Sequence, residues 1–296
     1  MASTHKAGFV TLLGLPNAGK SSLLNALIQT HLAAVSPKAQ TTRHRIPFLL
    51  HGEDYQIVLN DMPGLLEKSA YALHHRMMDY VREALEDSDL FLLVFDAAAP
   101  FRLHPVLEDI KNRLTPQNSL VVLNKADIAQ SAYESAIQKA WPGWNYLRTS
   151  SHTGEGLEAL VSWMVEHLPP HPPYFDKEHL SSLNMRFFIS EIIREKIFQL
   201  YRDEIPYACH VEVDSYKEEP ELHKISAIVY VEKESQKGIL IGRGGNALKT
   251  LGTQARQDIE LLTGVPVYLA ISVKVAPGWR RDERYLKKFG YFSGSK

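Results

Sequence analysis

An eight-residue segment near the start of the chain, Gly14–Ser21, constrains its fold more than any other feature. It reads Gly-Leu-Pro-Asn-Ala-Gly-Lys-Ser and matches G-x-x-x-x-G-K-[ST], the pattern of a phosphate-binding loop. The strand-like run Phe9–Leu13 precedes it and a helical pattern follows it, which is the setting that such a loop needs. Glycines let backbone N–H groups turn towards phosphate oxygens, and the helix N-terminus adds favourable partial charge. We predict contacts with a nucleoside triphosphate from Gly14, Leu15, Pro16, Asn17, Ala18, Gly19, Lys20 and Ser21.

Strand-like runs alternate with helical patterns from Gly8 to about Leu168, which predicts an α/β fold with parallel crossovers. The run Leu90–Phe95 is apolar on both faces, as a strand covered by helices on two sides must be. Only residues 51–54 separate the second and third runs, too few for a crossover, so these strands should form an antiparallel hairpin. The predicted strands are Phe9–Leu13, Ile46–Leu50, Tyr55–Leu59, Leu90–Phe95, Leu120–Leu123 and Tyr146–Arg148.

Four prolines within residues 169–173 mark the predicted domain boundary. Proline cannot continue a helix and favours an extended, semi-rigid spacer. We therefore predict a first domain over residues 1–168, a proline-rich linker over 169–182 and a second domain over 183–296. The second domain should contain a helix (183–202), two strands (210–216 and 224–232), a glycine-containing turn, a helix (246–262) and a last strand (267–275).

The segment Asn124–Asp127 reads Asn-Lys-Ala-Asp and follows a predicted strand, at the carboxyl edge of the sheet where ligands bind. A carboxylate at Asp127 accepts hydrogen bonds from N1–H and the 2-amino group of guanine, whereas adenine presents a lone pair at N1. A site that recognises a base by hydrogen bonds discriminates by about 10⁴–10⁵. Asn124 should brace the loop, and Lys125 should pack along the ring. The predicted guanine pocket consists of Asn124, Lys125, Asp127, Ser150 and Ser151.

The segment that follows the third predicted strand should reach the terminal phosphates. Asp61 is placed to hold Mg²⁺ through water, together with the Ser21 hydroxyl. Thr41 and Thr42 are both candidates to close onto Mg²⁺ when the γ-phosphate is present, and the sequence leaves the choice between them open. The predicted metal ligands are Ser21, Thr42 and Asp61. The predicted nucleotide contacts in this part of the chain are Asp61, Met62, Pro63, Gly64 and Leu65.

Together these elements, in this order and spacing, resemble the translation-factor-related branch of GTPases. Within that branch, the loop Gly14–Ser21 and the run Gln40-Thr41-Thr42-Arg43 are similar to the Era family of bacterial GTPases, over essentially the whole chain. The resemblance implies a P-loop GTPase domain with a mostly parallel sheet and one antiparallel hairpin, followed by an α+β type II KH domain. It also implies GTP hydrolysis to GDP with Mg²⁺, binding to the 3′ end region of 16S ribosomal RNA, and a role in assembly and maturation of the small ribosomal subunit.

One position departs from the Ras-type pattern. Leu65 stands where Ras-type enzymes place the glutamine that orients the attacking water, and leucine cannot hydrogen-bond. The resemblance implies that an asparagine at the position of Asn17 helps to bind K⁺ near the phosphates. The alternative interpretation is that Asn17 only suits the turn geometry of the loop. The predicted catalytic residues are Lys20, Thr42, Asn17 and Gly64.

The second domain carries a G-x-x-G loop, Gly242–Gly245, before a predicted helix. KH domains use such a loop to clamp single-stranded nucleic acid, because glycines permit close approach of the RNA backbone. From Lys237 to the end of the chain there are 11 Lys/Arg and 4 Asp/Glu, a net charge of +7, against −8 for the preceding residues. This basic segment favours a surface for polyanions. The predicted RNA contacts are Lys237, Ile241, Gly242, Arg243, Gly244, Gly245, Lys249, Arg280 and Arg281.

The basic and aromatic residues between Trp279 and Phe289 leave two interpretations open. In the first, their rings stack on bases and their charges contact phosphates. In the second, they form a packed C-terminal helix with a solvated basic face.

Composition limits the remaining classes of function. No apolar run approaches the roughly 20 residues that span a bilayer, and residues 1–6 do not read as a signal peptide. The single cysteine, Cys209, excludes an internal disulfide and is expected to be a buried thiol. We expect a cytoplasmic monomer. Family precedent adds peripheral association with the cell (inner) membrane, although the sequence has no amphipathic anchor or lipidation motif.

Two alternative functions belong to different classes. A metabolic P-loop enzyme, such as a nucleoside kinase, leaves Asn124–Asp127 unexplained. A signalling switch that docks only proteins leaves the basic C-terminal segment unexplained.

Overall fold

The structure, a computed structural model, describes residues 5–66, 69–177 and 179–292. These residues fall into two compact units. One unit contains the described residues up to Ala70 and from Met77 to Ser182. The other contains Tyr71–Arg76 and the described residues from Leu183 onwards. Each unit has its own sheet.

Strands and helices alternate along the described residues of the first unit, as the sequence predicts. In chain order they are β1 (Lys6–Leu13), α1 (Lys20–Ile28), β2 (Ile46–His51), β3 (Tyr55–Asp61), α2 (Ala72–Asp87), β4 (Leu90–Asp96), α3 (Pro105–Lys111), β5 (Ser119–Asn124), a 3₁₀ turn (Ala126–Ile128), α4 (Ser131–Ala140), β6 (Tyr146–Arg148) and α5 (Leu157–His167). The first residues of α2 belong to the second unit.

The strands form a six-stranded sheet in the order β2-β3-β1-β4-β5-β6. Strands β3, β1, β4, β5 and β6 run parallel, whereas β2 is antiparallel to β3, so the predicted hairpin is confirmed. Strand β5 is buried along its whole length, as a strand covered on both faces must be. The order reverses beside β1, and ligands of open α/β sheets bind at the carboxyl ends of strands near such a point.

Three of the parallel strands extend beyond their predicted carboxyl ends. Strands β3, β4 and β5 continue to the polar residues Asp61, Asp96 and Asn124. Asp96 lies opposite Asn124 in the parallel ladder, so backbone pairing persists after the apolar pattern stops. The extension places these three polar side chains at the same edge of the sheet.

The proline-rich segment, residues 169–182, lies along the first unit. Pro170 forms a bridge with Lys6, and the Leu49 amide donates a hydrogen bond of 2.9 Å to the Leu180 carbonyl. The buried Gln56 side chain accepts hydrogen bonds from the amides of Tyr174 (2.7 Å) and Phe175 (3.0 Å). Its Nε2 donates to the Phe175 carbonyl at 2.7 Å. The segment is therefore held by backbone contacts with β1 and by backbone and side-chain hydrogen bonds to the hairpin β2–β3.

The described part of the second unit contains the predicted helix, two strands, glycine-containing turn, helix and last strand in that order, together with three shorter helices. Its elements are α6 (Met185–Leu200), α7 (Ile205–Ala208), β7 (His210–Lys217), β8 (His223–Val231), α8 (Glu234–Ile241), a 3₁₀ turn (Arg243–Gly245), α9 (Asn246–Thr263), β9 (Val267–Val275), a second 3₁₀ turn (Trp279–Arg281) and α10 (Glu283–Lys288). Strand β8 lies in the centre, antiparallel to β7 and parallel to β9.

The core of the second unit lies between this sheet and its helices. It contains residues of α6 such as Ile193, residues of α9 such as Leu251, and alternate residues of β8 such as Val229. Cys209 is fully buried in this core, which confirms the expected burial. None of the helices in the described ranges combines the length and the apolar character that crossing a bilayer requires.

Candidate nucleotide site and nucleic-acid interface

The loop Gly14–Gly19 connects β1 to α1 at the carboxyl edge of the first sheet. Gly19 has a φ of 89°, and a Cβ there would approach the Asn124 side-chain nitrogen to 2.3 Å. The position therefore requires glycine both for its backbone and for its close contact with the next loop. Lys20 begins α1, and its Nζ donates to the carbonyls of Gly14 and Leu15, each at 3.1 Å.

Burial alters the acidity of Lys20. The side chain is 6% exposed, and desolvation lowers its pKa from 10.5 to about 8, partly offset by the negative charge of Asp61. A buried cation that is poorly solvated is stabilised strongly by a nearby anion. A phosphate group at the loop supplies that anion.

Three oxygen ligands that the sequence assigns to Mg²⁺ lie together. The Ser21 and Thr42 hydroxyls both donate to Asp61 Oδ2, at 2.8 and 3.0 Å, and lie 3.1 Å from each other. Thr41 instead donates to the Lys38 carbonyl at 2.9 Å. The structure therefore brings Thr42, and not Thr41, to this cluster. Hydroxyl and carboxylate oxygens are the hard ligands that Mg²⁺ prefers, so the residues present fit the ion.

The segment Met62–Leu65 is buried against the loop. A Cβ on Gly64 would lie 2.9 Å from the Pro16 side chain, so only glycine allows this approach. The Leu65 amide donates to the Gly14 carbonyl at 3.1 Å, and its side chain is 2% exposed. Leu65 thus contributes a backbone contact and no polar side-chain group.

Asn17 has a φ of 63°, a left-handed conformation that asparagine tolerates better than most residues. Its side-chain Nδ2 donates to the Pro37 carbonyl at 2.9 Å, in the segment that leads to Thr42. Asn17 therefore serves the turn of the loop and also places an amide group beside it.

The Asn124 side chain joins the two loops of the pocket. Its Nδ2 donates to the carbonyls of Ala18 (3.1 Å) and Gly19 (3.4 Å), and its Oδ1 accepts from the Thr149 hydroxyl at 3.2 Å. Asn124 and Thr149 are both completely buried. The predicted bracing role of Asn124 has a direct structural basis in these contacts.

Asp127 and Lys125 flank the space beyond Asn124. The Ser150 hydroxyl donates to Asp127 Oδ1 at 2.6 Å, and chiefly this hydrogen bond lowers the pKa of Asp127. The carboxylate is therefore ionised and ready to accept hydrogen bonds. Lys125 Nζ contacts Asp96 Oδ2 at 2.5 Å and donates to the Asn17 carbonyl at 3.1 Å, which fixes its long side chain.

Sequence reasoning missed two residues of this pocket, Asp96 and Thr149. Asp96 holds the Lys125 ammonium group, and Thr149 holds the Asn124 amide. Asp96 ends β4 in a ladder position opposite Asn124. Its place at the end of a predicted parallel strand was a usable signal. Thr149 directly precedes the predicted pocket residues Ser150 and Ser151, but no local pattern gives it a role.

The G-x-x-G loop of the second unit connects α8 to α9. Gly242 has a φ of 72°, and a Cβ there would meet Ala247 Cβ at 2.6 Å, so the turn requires glycine at this position. Gly244 also has a positive φ, 62°, but a Cβ there would meet nothing within 4 Å. Gly244 is therefore open to solvent at the tip of the loop.

A groove of about 340 Å³ lies beside this loop, between α9 and β9. Two of the predicted RNA-contacting residues, Gly245 and Lys249, line it. Leu248, an aliphatic residue of the same predicted helix, lines it as well, and the lining residues without a sequence-based assignment are Gly252, Thr253, Arg256, Leu269 and Ile271. Their helical spacing on α9 becomes informative only once β9 is known to pack beside it.

The remaining predicted RNA contacts lie outside the groove. Arg280 forms an ion pair with Glu232, and its guanidinium carbon lies 4.9 Å from the centre of the Tyr71 ring. Trp279 is completely buried, with its indole N–H donating to the Ala208 carbonyl, and Phe289 is 7% exposed. Of the two interpretations of this segment, the packed C-terminal helix describes its aromatic residues.

Comparison with known proteins matches each unit to a family and nearly the whole chain to several relatives. Residues 9–125 match the family described as 50S ribosome-binding GTPase, and residues 204–280 match the KH domain family. The chain is 40% identical to the chloroplastic GTPase ERA1 of Zea mays, over 98% of this chain and 72% of that protein. It is 38% identical to GTPase Era of Caldanaerobacter subterraneus subsp. tengcongensis, over 97% of this chain and 98% of that protein.

A solved structure also matches almost the whole chain. It is the crystal structure of Era in complex with MgGDPNP and nucleotides 1506–1542 of 16S ribosomal RNA. The TM-score is 0.90 and the sequence identity 35%, with 97% of this chain and 99% of that chain covered.

Proposed function

The chain belongs to the Era family of GTPases, and we propose that its GTP-dependent state controls binding to the 3′ end region of small-subunit ribosomal RNA. GTP hydrolysis is the activity of the family, with GTP, GDP and Mg²⁺ as its nucleotides and ion. This membership removes the nucleoside-kinase alternative. The observation that carries the RNA part of the proposal is the match to an Era–16S rRNA complex over nearly the full chain. The basic groove beside Gly242–Gly245 supports it.

In the proposed hydrolysis site, the chain positions the phosphates and stabilises their charge. Phosphoryl transfer depends mainly on these two effects. Lys20 binds the terminal phosphates, and the Gly64 amide lies beside the position they take. Ser21, Thr42 and Asp61 are the residues that would hold Mg²⁺, which neutralises phosphate charge when bound. Because Leu65 offers no polar side chain, Asn17 is proposed to recruit K⁺ as an additional charge.

In the proposed guanine site, Asp127 accepts the hydrogen bonds of N1–H and the 2-amino group. Ser150 keeps its carboxylate oriented and ionised. Lys125 covers one face of the ring, and the Ser151 amide completes the pocket. Asn124 bonds the phosphate loop directly, so base and phosphate recognition share one rigid support.

We assign nucleotide hydrolysis to residues 1–168 and RNA binding to residues 183–296, joined by 169–182. The proposed partner is the small ribosomal subunit, whose assembly and maturation the switch assists. We further propose that the protein is a cytoplasmic monomer with peripheral association at the inner membrane.

The experiment is filter binding of nucleotides 1506–1542 of 16S rRNA to the full chain with a non-hydrolysable GTP analogue, with GDP and without nucleotide. Coupling between two binding sites typically changes affinity by about 5–150-fold. We therefore expect binding with the GTP analogue to be at least about fivefold tighter than with GDP. Equal RNA affinity in all three nucleotide states would contradict the proposed control of RNA binding by GTP.

The loop variants Gly244→Asp and Gly244→Asn are a matched pair for the RNA part. Asp and Asn tolerate the left-handed backbone, and a side chain at Gly244 meets no neighbour within 4 Å. The negative charge of Gly244→Asp should repel phosphate and weaken binding well beyond the neutral variant. RNA binding by Gly244→Asp at the level of Gly244→Asn, or preferential binding of a large-subunit rRNA fragment, would contradict the assignment.

A further inference from the structure

Gly252 lies in the middle of α9, where glycine is the least favourable residue except proline. The fold does not demand glycine there. An added Cβ would have one neighbour, Ile271 Cδ1, at 3.8 Å, which is an ordinary van der Waals contact. Alanine would therefore fit and would favour the helix. The packing of this unit therefore does not explain why position 252 is a glycine.

The missing side chain opens a gap in the groove between α9 and β9. Residues four apart lie on one face of a helix, so Leu248, Gly252 and Arg256 form a row. The two outer residues are separated by about 12 Å along the axis, which is slightly more than two turns. Leu269 and Ile271 of β9 form an apolar floor beside this row. The gap exposes helix backbone beside an apolar floor, a surface that suits one face of a planar ring.

Arg256 is held in place at one end of the gap. Its Nη1 donates to Glu260 Oε1 at 2.7 Å, and the same oxygen accepts from the Val267 amide at 2.9 Å. Glu260 is therefore anchored to the start of β9 and restrains the guanidinium group. Lys249 adds a second positive charge at the rim. The groove thus pairs an apolar gap with a restrained guanidinium group and a second, exposed cation, which suits a nucleotide of a single strand.

We propose that Gly252 is a specificity-determining residue of the RNA groove: one unpaired base lies against the helix backbone between Leu248 and Arg256. Any side chain at position 252 occupies the place of that base. The inference rests on the proposed RNA-binding function and deepens it. It also explains why an unfavourable helix residue stands where alanine fits.

The test compares Gly252→Ala and Gly252→Leu with Thr250→Ala in the full chain. Thr250 is exposed, lies on another face of α9 and does not line the groove, so its alanine variant controls for helix propensity. The probe is nucleotides 1506–1542 of 16S rRNA, with the GTP analogue present. We expect Gly252→Ala to bind RNA on the order of tenfold more weakly, since stacking of one base is worth that scale of affinity. Gly252→Leu should bind more weakly still, and Thr250→Ala should bind like the unmodified chain.

Two further measurements separate the proposed role from damage to the fold. The melting temperature of Gly252→Ala should equal or exceed that of the unmodified chain. Probes with a single abasic site, moved along the RNA, should identify one position at which loss of the base weakens binding to the unmodified chain. At that position the same loss should weaken binding to Gly252→Ala only slightly further.

The outcomes distinguish the inference from the function on which it rests. Unchanged RNA affinity of Gly252→Ala would overturn the role of Gly252 while leaving RNA binding intact. The same holds if, at every position, the abasic site weakens binding equally in Gly252→Ala and in the unmodified chain. Failure of the unmodified chain to bind the probe would overturn the RNA-binding function itself, and the inference with it.

Discussion

The buried ammonium group of Lys20 is poorly solvated, and a bound anion compensates for the lost solvation. Its pKa is about 8 in the protein without nucleotide, because burial outweighs the attraction of Asp61. Phosphate raises that pKa again, so binding takes up a proton at high pH. We expect the affinity for GTP to fall about tenfold between pH 7 and pH 9, measured by fluorescent-nucleotide titration.

The variant Lys20→Met is the control for this prediction, since guanine itself also titrates near the upper end of this pH range. The GTP affinity of the unmodified chain, divided by that of Lys20→Met, should fall as the pH rises. A ratio that stays constant would contradict the shifted pKa. The same shift predicts that stability of the nucleotide-free protein rises with pH between about 8 and 10.5. In that window the unfolded chain binds more protons than the folded one.

Asn17 combines a left-handed backbone with an amide beside the phosphate loop. The proposal assigns the amide to K⁺. We expect GTP hydrolysis, followed by phosphate release, to be faster in K⁺ than in Na⁺ for the unmodified chain. The rates should become equal in Asn17→Gly.

Glycine is the matched substitution at this position because it keeps the positive φ without strain. The variant Asn17→Ala changes backbone and side chain together and cannot separate the two roles. A K⁺ preference that survives in Asn17→Gly would show that Asn17 serves only the turn.

At the scale of elements, the hairpin β2–β3 holds the chain that follows α5. Gln56 is 1% exposed and makes three hydrogen bonds to the backbone of Tyr174 and Phe175. Unpaired backbone groups at a buried site cost about 1–3 kcal/mol each. We expect Gln56→Ala to lower the free energy of unfolding by about 2–4 kcal/mol, measured by urea denaturation.

Gln199→Ala is the matched control, since Gln199 is exposed on α6 and its side chain donates to another side chain, Glu195 Oε1, at 2.9 Å. Its effect should stay within about 0.5 kcal/mol. A Gln56→Ala effect as small as this would mean that the proline-rich segment does not depend on the hairpin.

The chain as a whole divides its charge unevenly, with +7 from Lys237 onwards and −8 before it. A protein that contacts three to five phosphates of a single strand should lose affinity with a log–log salt slope of about −2 to −3.5. We expect this slope for the full chain and the 16S rRNA probe. The measurement is filter binding across a series of KCl concentrations.

Lys249→Ala and Lys274→Ala test where those phosphates lie. Both lysines are exposed and belong to the basic segment, but only Lys249 lines the groove. Lys249→Ala should reduce the slope by about 0.7, and Lys274→Ala should leave it unchanged. Equal effects would indicate diffuse attraction without a defined groove.

The sequence by itself determined the fold class and the chemistry of the nucleotide site. The motif Gly14–Ser21 and the segment Asn124–Asp127 are local patterns, and a local pattern fixes its own turn and its place at a strand end. The alternation of strands and helices limits how those ends assemble, since parallel strands place their carboxyl ends at one edge. Sequence reasoning therefore predicted that these loops lie together.

Only the tertiary structure decided which side chains meet. The choice of Thr42 over Thr41 depends on which hydroxyl faces Asp61, and adjacent residues of an irregular segment have no periodicity that fixes their direction. Asp96, Thr149 and Arg256 act through partners at least four residues away, on neighbouring elements or turns. The proposed role of Gly252 depends on the tertiary structure in the same way. A glycine within a helical pattern does not by itself indicate a binding gap, and the gap forms only because β9 packs beside α9.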